Sequence, residues 1–196
     1  MDIISFNKKL QHPFNLICAA ATQGGKSHWI REFLSSRMID PFPQRIIYIH
    51  AFITASFSEL EAIPGFEYRT SIPDNIAKED FVEEATPSLI IIDDQMACSN
   101  EDVMNSFIRG SHHLNRSCIL ALQNGFLQNP CMRTISLNAH YMILFKQPRD
   151  ILQIETLGRR MFSSAFKLFL QAYKSATKRN YGYLLIDLKS LTDERL

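Results

Sequence analysis

The sequence has little net charge, no paired cysteines and no long apolar run, and each absence narrows what the chain can be. Its 21 Lys and Arg stand against 20 Asp and Glu, a formal charge of +1 over 196 residues. No global basic field therefore advertises nucleic acid, and DNA binding would have to come from a local patch or from a ring of subunits. The four cysteines, Cys18, Cys98, Cys118 and Cys131, form no C-x-x-C pair and no metal-ligand spacing with histidine. They read as buried thiols in a reducing compartment, which excludes a disulfide framework. The opening residues lack the apolar run of a signal peptide, and no stretch approaches a membrane span. An intracellular protein with no membrane partner is expected. Repeats, linkers and low-complexity tracts are also absent, so residues 1–196 are expected to form one domain, with 1–12 a lead-in and 188–196 a loose tail.

What is present is an ordinary globular composition, 46% hydrophobic and 21% charged, with 14 Phe suited to packing helices on a sheet. The chain is organised around Phe14-Asn15-Leu16-Ile17-Cys18-Ala19-Ala20-Ala21-Thr22-Gln23-Gly24-Gly25-Lys26-Ser27. A short apolar strand enters a small-residue turn that ends in Gly-Lys-Ser and passes into a helical pattern. That is the layout of a phosphate-binding loop, G-x-x-x-x-G-K-[ST]. Small residues let backbone N–H groups turn inward around phosphates, and the helix N-terminus adds partial positive charge. Residues Ala21, Thr22, Gln23, Gly24, Gly25, Lys26, Ser27 and His28 would line it. Lys26 would reach the β/γ-phosphates of a nucleotide and Ser27 would ligate Mg²⁺. Ala20 stands where the first Gly is usual. Gln23 fills a position where a second Gly often sits, a departure that would weaken nucleotide binding.

Strand and helix patterns alternate after the loop. A helix is expected from Lys26 to about Arg37, with Ile30, Phe33 and Leu34 on one face. A buried strand follows at Arg45–His50. Between 51 and 87 the pattern is weaker: a short helix at Ser58–Ile63, a short strand at Gly65–Arg69 and a helix at Lys78–Ala85. Ser88-Leu89-Ile90-Ile91-Ile92-Asp93-Asp94 is four apolar β-formers followed by two acids, the Walker B arrangement. Such a strand ejects a carboxylate, here Asp93, beside the loop to hold the Mg²⁺ shell. Ser99 and Asp102 open a helix that should end near Arg109, followed by a loop carrying His112 and His113. The His pair has no third ligand at a sensible spacing and reads as a polar loop or subunit contact.

Arg116–Asn124 is an apolar strand ending in Gln123 and Asn124. In P-loop proteins of the additional-strand class, a strand between the two Walker strands ends in a polar sensor. Gln123 is the candidate, and Asp94 is the candidate to polarise the attacking water. A helix over Cys131–Asn138, a strand over Tyr141–Phe145 and a helix capped by Asp150 complete this run. The last helix, about Ser163–Ala176, buries Phe166, Phe169, Leu170 and Tyr173. Lys167, Gln171, Lys174 and Lys178 line its other side as a solvated face, with DNA contact the alternative. Tyr183–Asp187 closes the sheet. The expected fold is α/β: a three-layer αβα sandwich of the P-loop NTPase kind, mostly parallel, of the additional-strand (RecA/FtsK-like) class.

The stretches Gly110–Asn115, Gln123-Asn124, Met132–Tyr141, Phe145–Asp150 and Tyr181–Leu185 with Asp187 carry a more specific likeness. Together they resemble the genome-packaging ATPases of Polinton elements, adintoviruses and virophages, of the FtsK–HerA branch and related to poxvirus packaging ATPases. The resemblance covers about residues 12–190. It implies an ATP-hydrolysing, ring-forming motor that drives double-stranded DNA into a capsid, with ATP and Mg²⁺ as cofactors. The implied partners are a homo-oligomeric ring, double-stranded DNA and a capsid vertex or portal protein, inside the host cell, in the nucleus or a virus factory. Lys26 and Ser27 bind phosphate and Mg²⁺, Asp93 holds the metal shell, Asp94 activates water and Gln123 senses the γ-phosphate. A neighbouring subunit would supply an arginine. Arg109, Arg116, Arg133 and Arg159 are candidates, with Arg109 and Arg116 preferred because they flank the loop before the sensor strand. A small P-loop kinase and a non-hydrolysing DNA- or capsid-binding protein are the alternatives.

Overall fold

The central apolar runs become strands because each is buried on both faces, and the helical patterns between them cover those faces. The computed structural model describes residues 9–51, 55–73, 76, 86–93, 101–123 and 130–189, and only the backbone of 55–57, 101, 109–113, 130 and 131. In chain order the first elements are β1 (Leu10–Gln11), β2 (Asn15–Ala19), α1 (Lys26–Ser35), β3 (Ile39–Asp40) and β4 (Arg45–Ile49). A 3₁₀ run (Ala55–Ala62), β5 (Phe66–Arg69), β6 (Ser88–Ile92), α2 (Glu101–His113) and β7 (Arg116–Leu122) follow. The chain continues through α3 (Pro130–Leu137), β8 (Tyr141–Phe145), α4 (Ile151–Met161), α5 (Phe166–Ala176) and β9 (Tyr183–Asp187).

Among the described residues, seven strands pair in the order β5-β4-β6-β7-β2-β8-β9. All neighbours run parallel except β9, which pairs antiparallel with β8 at the edge. β7 therefore lies between β2 and β6, the arrangement expected of the additional-strand class. The register aligns Ala19 with Leu122 and Ile92 with Leu120, which brings the carboxyl ends of all three strands to one edge.

Strand alternation divides the core into two layers. Ile17, Ile47, Ile90, Leu120 and Leu144 face a cluster closed by Val103 and Phe107 of α2, Met132 and Ile135 of α3, Ile154 and Leu157 of α4, and Phe169 and Tyr173 of α5. Leu16, Tyr48, Leu89, Ile119 and Ile143 face the opposite layer, where α1 contributes Ile30, Phe33 and Leu34. The three-layer sandwich thus follows from period-2 strands meeting period-3.6 helices.

Three expectations change. α2 runs through Gly110 to His113 instead of ending near Arg109. Its stop is Asn115, two residues past the helix, which takes the left-handed φ of 45° that commonly ends helices; Leu114 beside it is buried. α5 begins at Phe166, later than Ser163, and buries Phe169 and Tyr173 fully while Phe166 and Leu170 are half-buried. β1 and β3, which no pattern suggested, pair as a two-residue parallel bridge, because Leu10 and Ile39 both seat in the layer over α1. The expected helix at Lys78–Ala85 and the Ser99 cap lie outside the described residues. Asp150 does cap α4, its Oδ1 accepting from the Gln153 N–H at 3.1 Å.

Candidate phosphate-binding site

The loop from Ala20 to Gly25 leaves β2 at the sheet's carboxyl edge and turns straight into α1. It is tied to the neighbouring strand by the Ala20 N–H, which donates to Leu122 O at 3.1 Å, and closed on itself by Gly24 N–H to Ala21 O at 2.8 Å. Gly24 leaves no room for a side chain, since a Cβ there would come within 2.8 Å of the Ala21 carbonyl oxygen. Gly25, at φ 105°, is the N-cap of α1. Gln23 takes φ 62°, the left-handed backbone a glycine would adopt freely. The departure from the usual glycine therefore leaves the loop's handedness in place, with the strain carried at that residue.

Two predicted residues converge on the carboxylate of a third. Asp93, just past β6 and 7% exposed, faces Lys26 of the first turn of α1, whose Nζ is 3.8 Å from Asp93 Oδ1. Ser27 Oγ donates to Asp93 Oδ2 at 3.4 Å. Lys26 is itself 8% exposed, so this buried cation is neutralised by a buried anion at the positive end of a helix. On the other side of the loop, Thr22 Oγ1 donates to Gln123 Oε1 at 3.4 Å, so the carboxyl end of β7 delivers its amide to the loop. Ala21, Thr22, Gln23, Ser27 and His28 are exposed or half-buried around this cluster.

Tyr48 is the residue the sequence reading missed. It stands on β4, beside β6, and its hydroxyl donates to Asp93 Oδ2 at 2.9 Å. Burial, reinforced by the adjacent Asp93 charge, pushes its phenol pKa well above the usual value, so it remains a donor. Its ring stacks on Tyr68 of β5 at 5.9 Å. The only available signal was a lone tyrosine in the aliphatic run Ile46-Ile47-Tyr48-Ile49, and hydrophobic periodicity treats that as core.

The donor set fits a hard divalent cation. Ser27 and Asp93 place two side-chain oxygens side by side, and Mg²⁺ takes one or two such protein oxygens together with phosphate and water. Among the described residues no three His, Cys, Asp or Glu cluster as a self-sufficient metal site, so the ligand's phosphates would complete the shell.

The arginines separate. Arg116 opens β7 at the amino end of the strand, about 20 Å from Gln123 by strand rise. It is fully buried, and its Nη1 donates to Ile76 O at 3.0 Å. A side chain sealed inside its own subunit at the wrong edge of the sheet cannot reach a neighbour's nucleotide, so the expectation for Arg116 is corrected. Arg133 is exposed in α3. Arg159 is exposed on α4 with its guanidinium 4.1 Å from the Phe166 ring centroid. The side chains of Arg109 and of His112 and His113 lie outside the described residues, as does Asp94.

No family model matches the chain, and no curated protein does. Solved structures do. The genome packaging NTPase B204 from Sulfolobus turreted icosahedral virus 2, in complex with ATP-γ-S, superposes with a TM-score of 0.61 at 13% identity, covering 91% of this chain and 94% of that one. The fold is that of a P-loop NTPase. The sulfate complex of the same protein gives a TM-score of 0.62 at 14% identity, over 91% and 93% of the two chains. B204 from Sulfolobus turreted icosahedral virus, described as a DNA-packaging ATPase, gives 0.57 at 16%, over 91% and 94%. The likeness spans nearly the whole of both chains.

Proposed function

We propose that this protein is an ATP-hydrolysing double-stranded DNA translocase that packages a viral or virus-like genome into a capsid. One observation carries the reading: Lys26, Ser27 and Asp93 converge, with Gln123 beside the loop, at the carboxyl edge of β2, β6 and β7. The fold shared with the B204 packaging NTPases over nine-tenths of both chains supports it.

In this reading the loop N–H groups and Lys26 hold the β/γ-phosphates, and Ser27 and Asp93 hold Mg²⁺, which neutralises charge on the phosphates when bound. Lys26 exchanges its Asp93 partner for phosphate as the nucleotide enters. Asp94 activates the attacking water and Gln123 reads the γ-phosphate. A ring of subunits supplies an arginine in trans, a contribution typically worth ~10³–10⁵ in rate. Arg109 remains a candidate. Arg133 gains weight because α3 follows the sensor strand from the site's own edge. The motor acts inside the host cell against a capsid vertex or portal protein; no described helix is long and apolar enough to cross a membrane.

The test is steady-state ATP hydrolysis with and without linear double-stranded DNA, beside Lys26→Ala and Asp94→Asn. Turnover stimulated by DNA and lost in both variants is expected. DNA-independent turnover by a strict monomer would overturn the motor, and phosphate transfer to a nucleoside monophosphate would replace it with a kinase.

A further inference from the structure

The stretch Tyr181-Gly182-Tyr183 takes no part in the phosphate chemistry, yet the fold lays it against the loop. Tyr181 adopts φ 58° and is 61% exposed, a backbone that bulky residues rarely take. The turn after α5 imposes it. Gly182 sits so tightly that a Cβ there would come within 2.3 Å of Ala176 O, and its N–H donates to Arg179 O at 3.1 Å. The Tyr181 ring lies over Gly25, where an added Cβ would meet Tyr181 Cδ1 at 2.8 Å. The His28 ring stands 5.8 Å away, tilted by 52°. A strained residue that keeps an aromatic ring in solvent beside a binding loop is the kind of outlier that clusters at ligand clamps.

From this pair a groove of about 280 Å³ runs along α1 to the β8–β9 edge, lined among others by Gly25, His28, Trp29, Glu32, Tyr181 and Tyr183. Trp29 meets Tyr183 edge-on at 6.1 Å. The groove is continuous with the phosphate loop at Gly25, the N-cap of α1. Aromatic rings of His28, Trp29, Tyr181 and Tyr183 form part of its wall among aliphatic side chains, and Glu32 offers an acceptor for an exocyclic amine. We propose that this groove receives the base and ribose of the nucleoside triphosphate, with Tyr181 as the stacking platform. The inference rests on the reading of the loop as a nucleotide site and adds the subsite that distinguishes a nucleotide from bare polyphosphate.

The experiment titrates the full chain with ATP and, separately, with inorganic tripolyphosphate, by calorimetry and by the fluorescence of Trp29, the single tryptophan of the sequence. ATP shifts the Trp29 emission, while tripolyphosphate binds without that shift. Tyr181→Ala weakens ATP about tenfold, as loss of a base stack does, and leaves tripolyphosphate within about twofold; Tyr181→Phe keeps ATP affinity. Unchanged ATP affinity in Tyr181→Ala overturns the subsite. So does an equal loss for both ligands, because Tyr181 would then merely prop Gly25. If the wild-type chain binds neither ligand, the nucleotide reading itself falls and the subsite falls with it.

Discussion

Among the described residues two cations are buried, one at each edge of the sheet, and they serve opposite purposes. Lys26 sits at the carboxyl edge against Asp93, at the start of a helix, and is 8% exposed. Arg116 sits at the amino edge with no exposure, donating to the Ile76 carbonyl. Beside it in sequence, Ser117 and His12 join a chain of hydrogen bonds. Ser117 Oγ accepts from the Phe14 N–H at 3.0 Å and donates to His12 Nδ1 at 2.6 Å, which leaves His12 Nε2 to donate to Asn115 O at 3.1 Å. The carboxyl edge instead gathers a cation, a carboxylate and a hydroxyl beside an exposed loop. A buried arginine bonded to backbone serves the fold, whereas a buried ion pair beside an exposed loop, at a strand switch and a helix N-terminus, stands where a ligand enters.

The sharpest way to break this comparison is to exchange the losses. Lys26→Ala should reduce ATP turnover more than about a hundredfold, the loss expected for a group stabilising transferred phosphate. Its urea midpoint should fall less than that of Arg116→Ala, because Asp93 keeps the Ser27 and Tyr48 hydroxyls as donors. Arg116→Ala should do the converse, lowering unfolding free energy by about 2–5 kcal/mol as a large buried side chain is removed, while the folded fraction retains turnover per molecule. A stable but inactive Arg116→Ala would restore it as a trans-acting residue.

Tyr48→Phe tests the link between the core and the site. It removes only the donor to Asp93, so the Mg²⁺ concentration for half-maximal turnover should rise about tenfold, the scale of a hydrogen bond to a charged group. Nucleotide binding measured without Mg²⁺ should stay unchanged. An altered Mg²⁺-free affinity with no change in Mg²⁺ dependence would reduce Tyr48 to packing.

The smallest effect belongs to the amino edge. Burial, the largest cause, holds the pKa of His12 below its usual 6.5, and its contacts with Asn115 only partly offset this. The unfolded chain takes up that proton near pH 6.5 and the folded chain only at lower pH. The contribution is therefore complete above 6.5 and is lost as pH falls from there toward the folded pKa. Thermal unfolding followed from pH 7.5 to 5.5 should show this decline in the wild type. His12→Gln should flatten it, and an unaltered slope would place the titration elsewhere.

The legible parts of the molecule were the ones written in short windows. The apolar runs at Leu16–Ala19, Ile46–Ile49, Leu89–Ile92, Cys118–Leu122 and Tyr141–Phe145 read as strands and are strands. Lys26 and Ser27 after the first run and Asp93 after the third are brought together by the fold, with Gln123 at the end of the strand between them. The end of α2 misled because Gly110 looks like a stop, yet the helix continues until a buried Leu114 and a left-handed Asn115 return the chain to β7. Arg116 misled because proximity in sequence to a sensor strand says nothing about which end of that strand meets the ligand.

By itself the sequence determined which segments form strands and helices, where the phosphate loop begins and which acid follows the second Walker strand. Those properties depend on side-chain period, on backbone freedom at a few glycines and on the N–H groups of one helix start, all of which act within a turn or two of chain. Only the tertiary structure decided that Tyr48 reaches Asp93 across 45 residues of sequence, that Arg116 is sealed at the far edge and that Tyr181 settles on Gly25. Each depends on strand order and register, and those are set by how two apolar layers close over the whole sheet.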